Sequence, residues 1–295
     1  MKRYAVCHKQ CHDGLAGAWV AKKYIPDVNV FFTSRKDEWK ELLNPQILEG
    51  DFVYFIDYAP SPSDLEDLQK RNVGFQVLDH HATDFNRIQT YDSMNNTNLL
   101  LFCKYDMQKA GCQVAWDYFE KSEPLPKLLE YIAIADIYAW RSDLDHFVVQ
   151  YIRTIMEPDA TVEDFDRFKN SFNEIESQKL GEIIYKRITK DVHFVAKRAN
   201  LMDFDETTVL AVNSAHYHSE IGHELTLGSP SGLGIVYTYF PANDGVKLSV
   251  RGTGANAFCE KFDGGGHPQA AGCYMTIEQF SKYLKTARKN TGMEV

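Results

Sequence analysis

The chain has 295 residues, of which 44% are hydrophobic and 25% are charged, and its formal net charge is −9 at pH 7. This length favours two domains with a sizeable core, and the composition is that of a globular protein rather than a disordered or fibrous one. Proteins that hold long polyanions usually carry a basic face, so the negative charge argues against a long nucleic acid tract as partner and favours a small anionic substrate.

The sequence gives no sign of secretion or of a membrane anchor. No stretch approaches the roughly 20 apolar residues that span a bilayer, and the start MKRYAVCHKQCHDG turns polar too soon for a signal peptide. The cysteines contain no CxxC pair, which argues against a zinc ribbon or a disulfide framework; they are Cys7, Cys11, Cys103, Cys112, Cys259 and Cys273. We therefore expect a cytoplasmic protein with no membrane partner.

The first third of the chain alternates strand and helix patterns. Four apolar runs that end in polar residues predict buried strands: RYAVCH (3–8), VNVFFT (28–33), DFVYFID (51–57) and GFQVLD (74–79). Between them, GLAGAWVAKKY and SPSDLEDLQKR carry apolar residues at helical spacing, with Ser61 or Ser63 as an N-cap. This alternation predicts an α/β domain with a mostly parallel, doubly wound sheet.

The pattern changes twice further along the chain. From about 111 to 172 it is helical, and 173–200 is typical of one long charged helix. After Asp205, TTVLAVNS, GLGIVYTYF and VKLSVRG predict strands, while ANAFCEKF and TIEQFSKYLKTARK predict helices. We predict a first domain over 1–172, a helical linker over 173–202, and a smaller mixed α/β domain over 203–295.

Carboxylates and imidazoles follow three of the predicted parallel strands, at the edge where such sheets bind ligands. The first strand end carries His8 and Asp13, with Cys11 between them; the third carries Asp57; and the fourth carries Asp79, His80 and His81. A lone aspartate after a strand is usually a turn or cap residue, but three such strand ends together predict a pair of divalent ions, with Asp57 as a bridging ligand. The oxygen-rich set suits Mn²⁺ or Mg²⁺, with zinc or iron also open.

A second candidate site lies near the end of the chain. Gly264, Gly265 and Gly266 lack Cβ atoms, so their backbone amides can approach an anion closely, and His267 can donate to a phosphate. Arg251, upstream in VKLSVRG, suits bidentate phosphate recognition. The alternatives are a flexible turn for the glycines and a surface ion pair for the arginine.

Five segments resemble the DHH phosphoesterase family, in the order of the family's motifs. They are HKQCHDG (8–14), FIDYAP (55–60), LDHHAT (78–83), IAIADIYAW (132–140) and VRGTGANAFCEKFDGGGHPQAAG (250–272), the last similar to the GGGH signature of the DHH-associated C-terminal domain. The resemblance covers nearly the whole chain. It implies catalytic roles for Asp57, Asp79 and His81, with His81 on the scissile phosphate, and phosphate binding by Arg251 and the GGGH segment.

The resemblance also implies a set of metal ligands. Asp13, Asp57, His80 and Asp136 would hold one ion, while His8 and Asp57 would help to hold the other. The chain departs from the family at Cys11, where members commonly place an aspartate. A thiolate there would favour a softer metal; we expect instead water or a weak contact at this position.

Within the family, the short acidic chain is most similar to enzymes that act on short substrates. We expect a phosphodiesterase that uses two Mn²⁺ ions, or Mg²⁺, to cut very short 5′-phosphorylated oligonucleotides, such as linear dinucleotides, to mononucleotides. The alternatives are a 3′-phosphoadenosine 5′-phosphate phosphatase and a sensor that binds nucleotides without cleaving them. The sequence does not decide the oligomeric state, and a homodimer is one option.

Overall fold

The computed structural model describes residues 1–33, 38–157, 159–240 and 244–289. The chain divides into two compact units, Met1–Tyr185 and Lys186–Val295. Across the described residues, no helix combines the length and the apolar character that a membrane crossing requires.

The first unit is built on a sheet of five strands among its described residues. The strands are β1 (Arg3–His8), β2 (Asn29–Thr33), β3 (Phe52–Ile56), β4 (Gly74–Asp79) and β5 (Cys103–Tyr105). Their spatial order is β2-β1-β3-β4-β5, and every neighbouring pair is parallel. The predicted parallel sheet is confirmed. The short β5 was missed, because three residues carry too little pattern to predict a strand.

Helices cover both faces of this sheet. They are α1 (His12–Tyr24), α2 (Glu38–Leu42), α3 (Pro62–Lys70), α4 (Ala82–Asn95), α5 (Gly111–Phe119), α6 (Lys127–Asp136), α7 (Asp143–Ile155) and α8 (Val162–Ser171). Along β1, Ala5 and Cys7 belong to the core formed with α1, α5 and α6, whereas Tyr4 and Val6 belong to the core formed with α2 and α3. This alternation of side chains between two apolar cores is what a doubly wound sheet requires.

The long helix α9 (Glu174–Ala196) follows α8. The boundary between the two compact units falls within α9. The strand that comes next, β6 (Asn200–Phe204), begins inside the stretch that the sequence assigned to the linker. Its residues, NLMDF, alternate too briefly to be separated from the preceding helix by pattern alone.

The second unit is built on a mixed sheet. After β6 come β7 (Thr207–Asn213), β8 (Gly234–Phe240), β9 (Gly245–Arg251), β10 (Gly265–His267), β11 (Ala270–Thr276) and β12 (Arg288–Lys289), with α10 (His218–Gly228), α11 (Ala255–Glu260) and α12 (Ile277–Leu284). The order is β10-β11-β9-β8-β7-β6-β12, and within the described part of this sheet β7 and β8 are the only neighbouring strands that run parallel. The predicted mixed α/β architecture is confirmed. The helix predicted over 276–289 is shorter, because Arg288 and Lys289 pair with β6.

Candidate functional site

The predicted metal ligands of the first unit lie together at the carboxyl ends of its parallel strands. His8 is the last residue of β1, Asp57 follows β3 directly, and His80 follows β4. Asp13 lies in the first turn of α1, and Asp136 is the last residue of α6. Parallel strands end at one edge of the sheet, so residues far apart in sequence converge there.

Asp57 lies between two imidazoles. Its Oδ1 is 3.3 Å from Nε2 of His80, and its Oδ2 is 3.5 Å from Nδ1 of His8. Its side chain is only 2% exposed. Burial alone would raise the pKa of Asp57, but the contacts with His8 and His80 outweigh burial and hold that pKa below its usual range. Asp57 therefore stays a carboxylate in the position that a bridging ligand would occupy.

His80 is surrounded by carboxylates. Its Nε2 lies 3.3 Å from Asp136 Oδ2 and 4.0 Å from Asp13 Oδ2, in addition to its contact with Asp57. Burial works against protonation, but the close contact with Asp57 and the charge of Asp136 raise the pKa of His80 to about 9. Burial and the charge of Asp57 raise the pKa of Asp136 to about 6. The cluster thus concentrates negative charge where solvent screening is weak.

The backbone of α5 holds Asp13 in place. The N–H groups of Gly111 and Cys112 donate to Oδ2 and Oδ1 of Asp13 at 2.7 and 2.8 Å. Burial and the charges of Asp57 and Asp136 raise the pKa of Asp13 well above its usual value. The charge of His80 and the contact with the Cys112 side chain offset only part of this rise. A Cβ on Gly111 would lie 2.5 Å from Cβ of Asp57, so only glycine fits there. Gly111 was not among the predicted site residues, because its contact with Asp57 depends on how α5 packs and leaves no pattern in the sequence.

Three buried carboxylate oxygens in the cluster lack a hydrogen-bond donor among the described residues. Oδ2 of Asp57, Oδ2 of Asp79 and Oδ2 of Asp136 accept no hydrogen bond from any residue that the structure describes. A buried carboxylate oxygen without a partner raises the free energy of the folded protein. A cation bound among these oxygens would offset that cost. Candidate ligand atoms lie within 4.8 Å of one another in three groups: Asp13, His80 and Asp136; His8, Cys11 and Asp57; and Asp57, Asp79, His80 and His81. The donors therefore fit divalent cations.

Cys11 belongs to the second of these groups. It is the N-cap residue of α1, and its Sγ lies close to candidate ligand atoms of His8 and Asp57. Burial, together with the charge of Asp57, raises the pKa of the Cys11 thiol well above its usual value. Because the thiolate is the form that binds metal, this environment makes Cys11 a weaker ligand than an aspartate would be at the same place.

His81 is positioned by Asp79. Nδ1 of His81 donates to Oδ1 of Asp79 across 2.8 Å, and the Asp79 side chain is fully buried. Burial opposes the charge on the imidazole, but Asp79 raises the pKa of His81 to about 10. About 30% of the His81 side chain is exposed. His81 is thus a protonated hydrogen-bond donor at neutral pH whose ring is partly exposed.

The predicted phosphate-binding residues lie together within the second unit. Arg251 ends β9, and His267 ends β10. Both pair with Ala270 of β11, which lies between their strands. Arg251 donates to the carbonyl oxygen of Val250 and to Oγ of Ser219, at 2.9 and 2.8 Å, while its buried Nε has no hydrogen-bond partner among the described residues.

The glycine triplet is ordered backbone rather than a turn. Gly265 and Gly266 belong to β10 and pair with Gly272 and Ala271. Gly264 precedes the strand, and a Cβ there would lie 2.5 Å from Cβ of Cys273. Gly266 has a φ of 148°, and a Cβ there would lie 2.6 Å from the carbonyl oxygen of Ala270. A side chain is therefore excluded by lack of space at both positions, and at Gly266 by backbone conformation as well.

Two solved structures share this fold. RecJ from Thermus thermophilus, crystallised with Mn²⁺, matches with a TM-score of 0.52 at 14% identity, over 97% of this chain and 51% of that chain. The DHH domain of a member of a ribosomal protein family matches with a TM-score of 0.50 at 12% identity, over 97% of this chain and 85% of that chain. The chain therefore has the fold of the DHH phosphoesterases, as its motifs predicted.

Comparison with curated proteins adds one relative of undescribed activity. Uncharacterized protein R106 of Acanthamoeba polyphaga mimivirus is 28% identical over 213 residues, which make up 67% of this chain and 47% of that protein. The chain thus spans about half the length of the curated relative it matches. No protein-family model matches the chain.

Proposed function

We propose that this chain is a phosphodiesterase that hydrolyses very short 5′-phosphorylated oligonucleotides, such as the linear dinucleotide pGpG, to mononucleotides with two Mn²⁺ ions, or with Mg²⁺. The observation that carries the proposal is the position of Asp57, a buried carboxylate whose two oxygens face Nδ1 of His8 and Nε2 of His80 at 3.5 and 3.3 Å. A carboxylate with one ligand group on each side is the arrangement that a two-metal phosphoryl hydrolase needs.

Each residue of the cluster has a role in this proposal. Asp13, Asp57, His80 and Asp136 would hold one ion, and His8 and Asp57, with a weak contact from Cys11, would hold the other. The ions, when bound, supply charge stabilisation at the phosphoryl oxygens and an activated water. The DHH fold shared with RecJ, whose crystals contain Mn²⁺, supports this choice of metal.

His81 would act on the substrate itself. Asp79 holds the ring through Nδ1, so the second nitrogen keeps its proton and can donate it to an oxygen of the scissile phosphate. As negative charge grows on that oxygen, the hydrogen bond from a cationic imidazole strengthens. Asp79 would therefore serve as a positioning residue, since it is fully buried and cannot reach the substrate.

The second unit would supply substrate affinity. Arg251 and His267 would bind the terminal 5′-phosphate, together with the glycine backbone of the neighbouring segment 264–266. Binding energy from a group remote from the reacting bond can be used to align that bond, so substrates without the 5′-phosphate would react more slowly. The net charge of −9 agrees with a substrate that is bound locally rather than along a nucleic acid tract.

The test is product analysis with two substrates. The protein is incubated with a 5′-phosphorylated dinucleotide and, separately, with 3′-phosphoadenosine 5′-phosphate, first with Mn²⁺ and then with Mg²⁺, and the Asp57→Asn variant serves as the blank. Mononucleotides from the dinucleotide alone are the expected result. Release of phosphate only from 3′-phosphoadenosine 5′-phosphate would assign a monoesterase instead. No turnover of either substrate by metal-loaded protein would leave nucleotide binding without catalysis.

A further inference from the structure

One face of strand β11 in the second unit is open. Three alternate residues of β11 are buried in the apolar core that also contains residues of α11 and α12; they are Ala271, Cys273 and Met275. Successive side chains of a strand point to opposite faces, so Ala270, Gly272 and Tyr274 lie on the other face. All three are at least partly exposed. The open β11 face is thus a row of two small residues followed by an aromatic one.

The candidate phosphate ligands lie at the beginning of this row. Ala270 pairs with Arg251 of β9 on one side and with His267 of β10 on the other. Residues two apart in a strand are separated by about 7 Å, so Gly272 and Tyr274 follow Ala270 at regular steps. A glycine within a strand often marks a place where a ligand approaches the backbone closely. A nucleotide whose phosphate lies between Arg251 and His267 can therefore extend over Gly272 and reach Tyr274.

Tyr274 presents its ring to solvent. Its side chain is 65% exposed, and it forms no hydrogen bond or ring contact with any residue that the structure describes. An exposed aromatic residue on a strand is by itself an ordinary feature. Aromatic side chains on open sheet faces are also the surfaces on which nucleic-acid-binding sheets stack bases. The alignment of Tyr274 with a candidate phosphate site favours this second role.

Positive charge gathers on the same face of the sheet. Lys247 of β9 pairs with Tyr274 directly across the strands. Burial lowers the pKa of His218, at the start of α10, and the charges of Lys247 and Arg251 lower it further, so both cations lie near this imidazole. The described residues of β8, β9 and β11 on this face include no carboxylate, although the whole chain has a net charge of −9. A locally positive surface of this kind attracts a nucleotide phosphate.

We infer that the open β11 face binds the 5′-terminal nucleoside of the substrate, with its base stacked on the ring of Tyr274. The 5′-phosphate lies between Arg251 and His267, and the sugar lies over Gly272. Lys247 adds positive charge beside the base. Every base has a π-face, so stacking accepts any base at the 5′ position. The inference rests on the proposed function for the identity of the substrate, whereas the exposure of Tyr274 and its alignment with Arg251 do not depend on that function.

Binding of AMP and of ribose 5-phosphate tests the stacking site without any chemistry. Ribose 5-phosphate carries the phosphate and a sugar but no base. The dissociation constants of both compounds are measured by calorimetry on the Mn²⁺-loaded full chain, for the wild type, Tyr274→Ala and Tyr274→Phe. We expect Tyr274→Ala to weaken AMP binding about tenfold and to leave ribose 5-phosphate binding unchanged. Tyr274→Phe keeps the ring and should bind AMP as the wild type does.

Tyr239→Ala is the matched control. Tyr239 of β8 is 49% exposed, but it pairs with the core residue Val246 and so lies on the opposite face of the same sheet. Its substitution should leave AMP binding unchanged. An equal loss of AMP affinity in Tyr239→Ala and Tyr274→Ala would overturn the stacking site. So would an equal loss for ribose 5-phosphate in Tyr274→Ala, which would indicate damage to the second unit, or a wild type that binds AMP no more tightly than ribose 5-phosphate.

Kinetics separate this inference from the proposed function. With a 5′-phosphorylated dinucleotide, Tyr274→Ala should raise KM about tenfold and leave the manganese content unchanged. AMP binding that depends on Tyr274, in a protein that cleaves no dinucleotide, would retain the stacking site and overturn the proposed function. Dinucleotide cleavage with a KM that Tyr274→Ala does not alter would retain the proposed function and overturn the stacking site.

Discussion

The backbone N–H of Gly111 donates a 2.7 Å hydrogen bond to Oδ2 of Asp13, a residue 98 positions earlier in the chain. The N–H of Cys112 donates to the other oxygen of the same carboxylate. The start of α5 therefore fixes the orientation of a candidate metal ligand on α1. Groups that hydrogen-bond to a metal ligand, without contacting the metal themselves, fix the orientation of that ligand. Substituting such a group typically lowers metal affinity by about 10–100-fold.

Gly111→Ala should disrupt this arrangement. The new Cβ would lie 2.5 Å from Cβ of Asp57 and 2.8 Å from its Cα, so the backbone of α5 or β3 must move. We expect at least a tenfold loss of Mn²⁺ affinity, measured by calorimetry, and a loss of about 1–3 kcal/mol in the free energy of unfolding. Cys112→Ser is the control, because it keeps both N–H donors and leaves a side-chain donor of similar size beside Asp13. Equal metal affinities in the two variants would contradict the steric argument.

The fold and most of the candidate site were predictable from the sequence, because the candidate ligands lie at strand ends and the strands follow from short-range patterns. Asp57, His80 and His8 each follow or end a recognisable apolar run. The contacts of Gly111 were not predictable, since they depend on the packing of α5 against α1 and β3.

Cys11→Asp tests the departure from the family's motif. Cys11 lies with His8 and Asp57, and its raised pKa keeps the thiol protonated. A carboxylate there would be ionised and would add a hard oxygen ligand, so manganese-dependent activity should be kept or raised. The measurement is the rate of dinucleotide cleavage against Mn²⁺ and Zn²⁺ concentration, with Cys11→Ser as the matched control. Loss of all activity in Cys11→Asp would instead identify the sulfur as a required ligand.

Metal binding should stabilise the first unit. The buried oxygens of Asp57, Asp79 and Asp136 lack hydrogen bonds among the described residues, and a bound cation would satisfy them. A metal at 100 times its dissociation constant adds about 2.7 kcal/mol. For a unit of this size that corresponds to a rise in Tm of roughly 5–10 °C. Differential scanning calorimetry with Mn²⁺ and with chelator checks this, and identical melting curves at saturating Mn²⁺ would count against a metal site.

Arg251→Lys should weaken binding of the 5′-phosphate. Arg251 is held by Ser219 Oγ at 2.8 Å, and an ammonium in its place cannot make the same bidentate contact with a phosphate. We expect KM for a 5′-phosphorylated dinucleotide to rise about tenfold. The control is the same dinucleotide without its 5′-phosphate, for which the two proteins should have equal KM. A similar rise in KM for both substrates would assign Arg251 a structural role in the second unit.

Asp57→Asn isolates the charge of the proposed bridging ligand. Asp57 has a φ of 54°, and asparagine is among the residues that tolerate this left-handed conformation, so the backbone should be unchanged. What is lost is a carboxylate between His8 and His80. We expect the rate of dinucleotide cleavage at saturating Mn²⁺ to fall by at least about two orders of magnitude, because one ligand would serve both ions.

Asp27→Asn provides the matched control for this experiment. Asp27 also has a left-handed backbone, with a φ of 57°, but it is exposed and lies outside the candidate ligand groups. Its substitution should leave both the rate and the manganese content at the wild-type level. The decisive comparison is single-turnover cleavage by the two variants, with metal content measured by mass spectrometry. A rate for Asp57→Asn within about threefold of that for Asp27→Asn would rule out the two-metal mechanism, since loss of a shared ligand has to affect both ions.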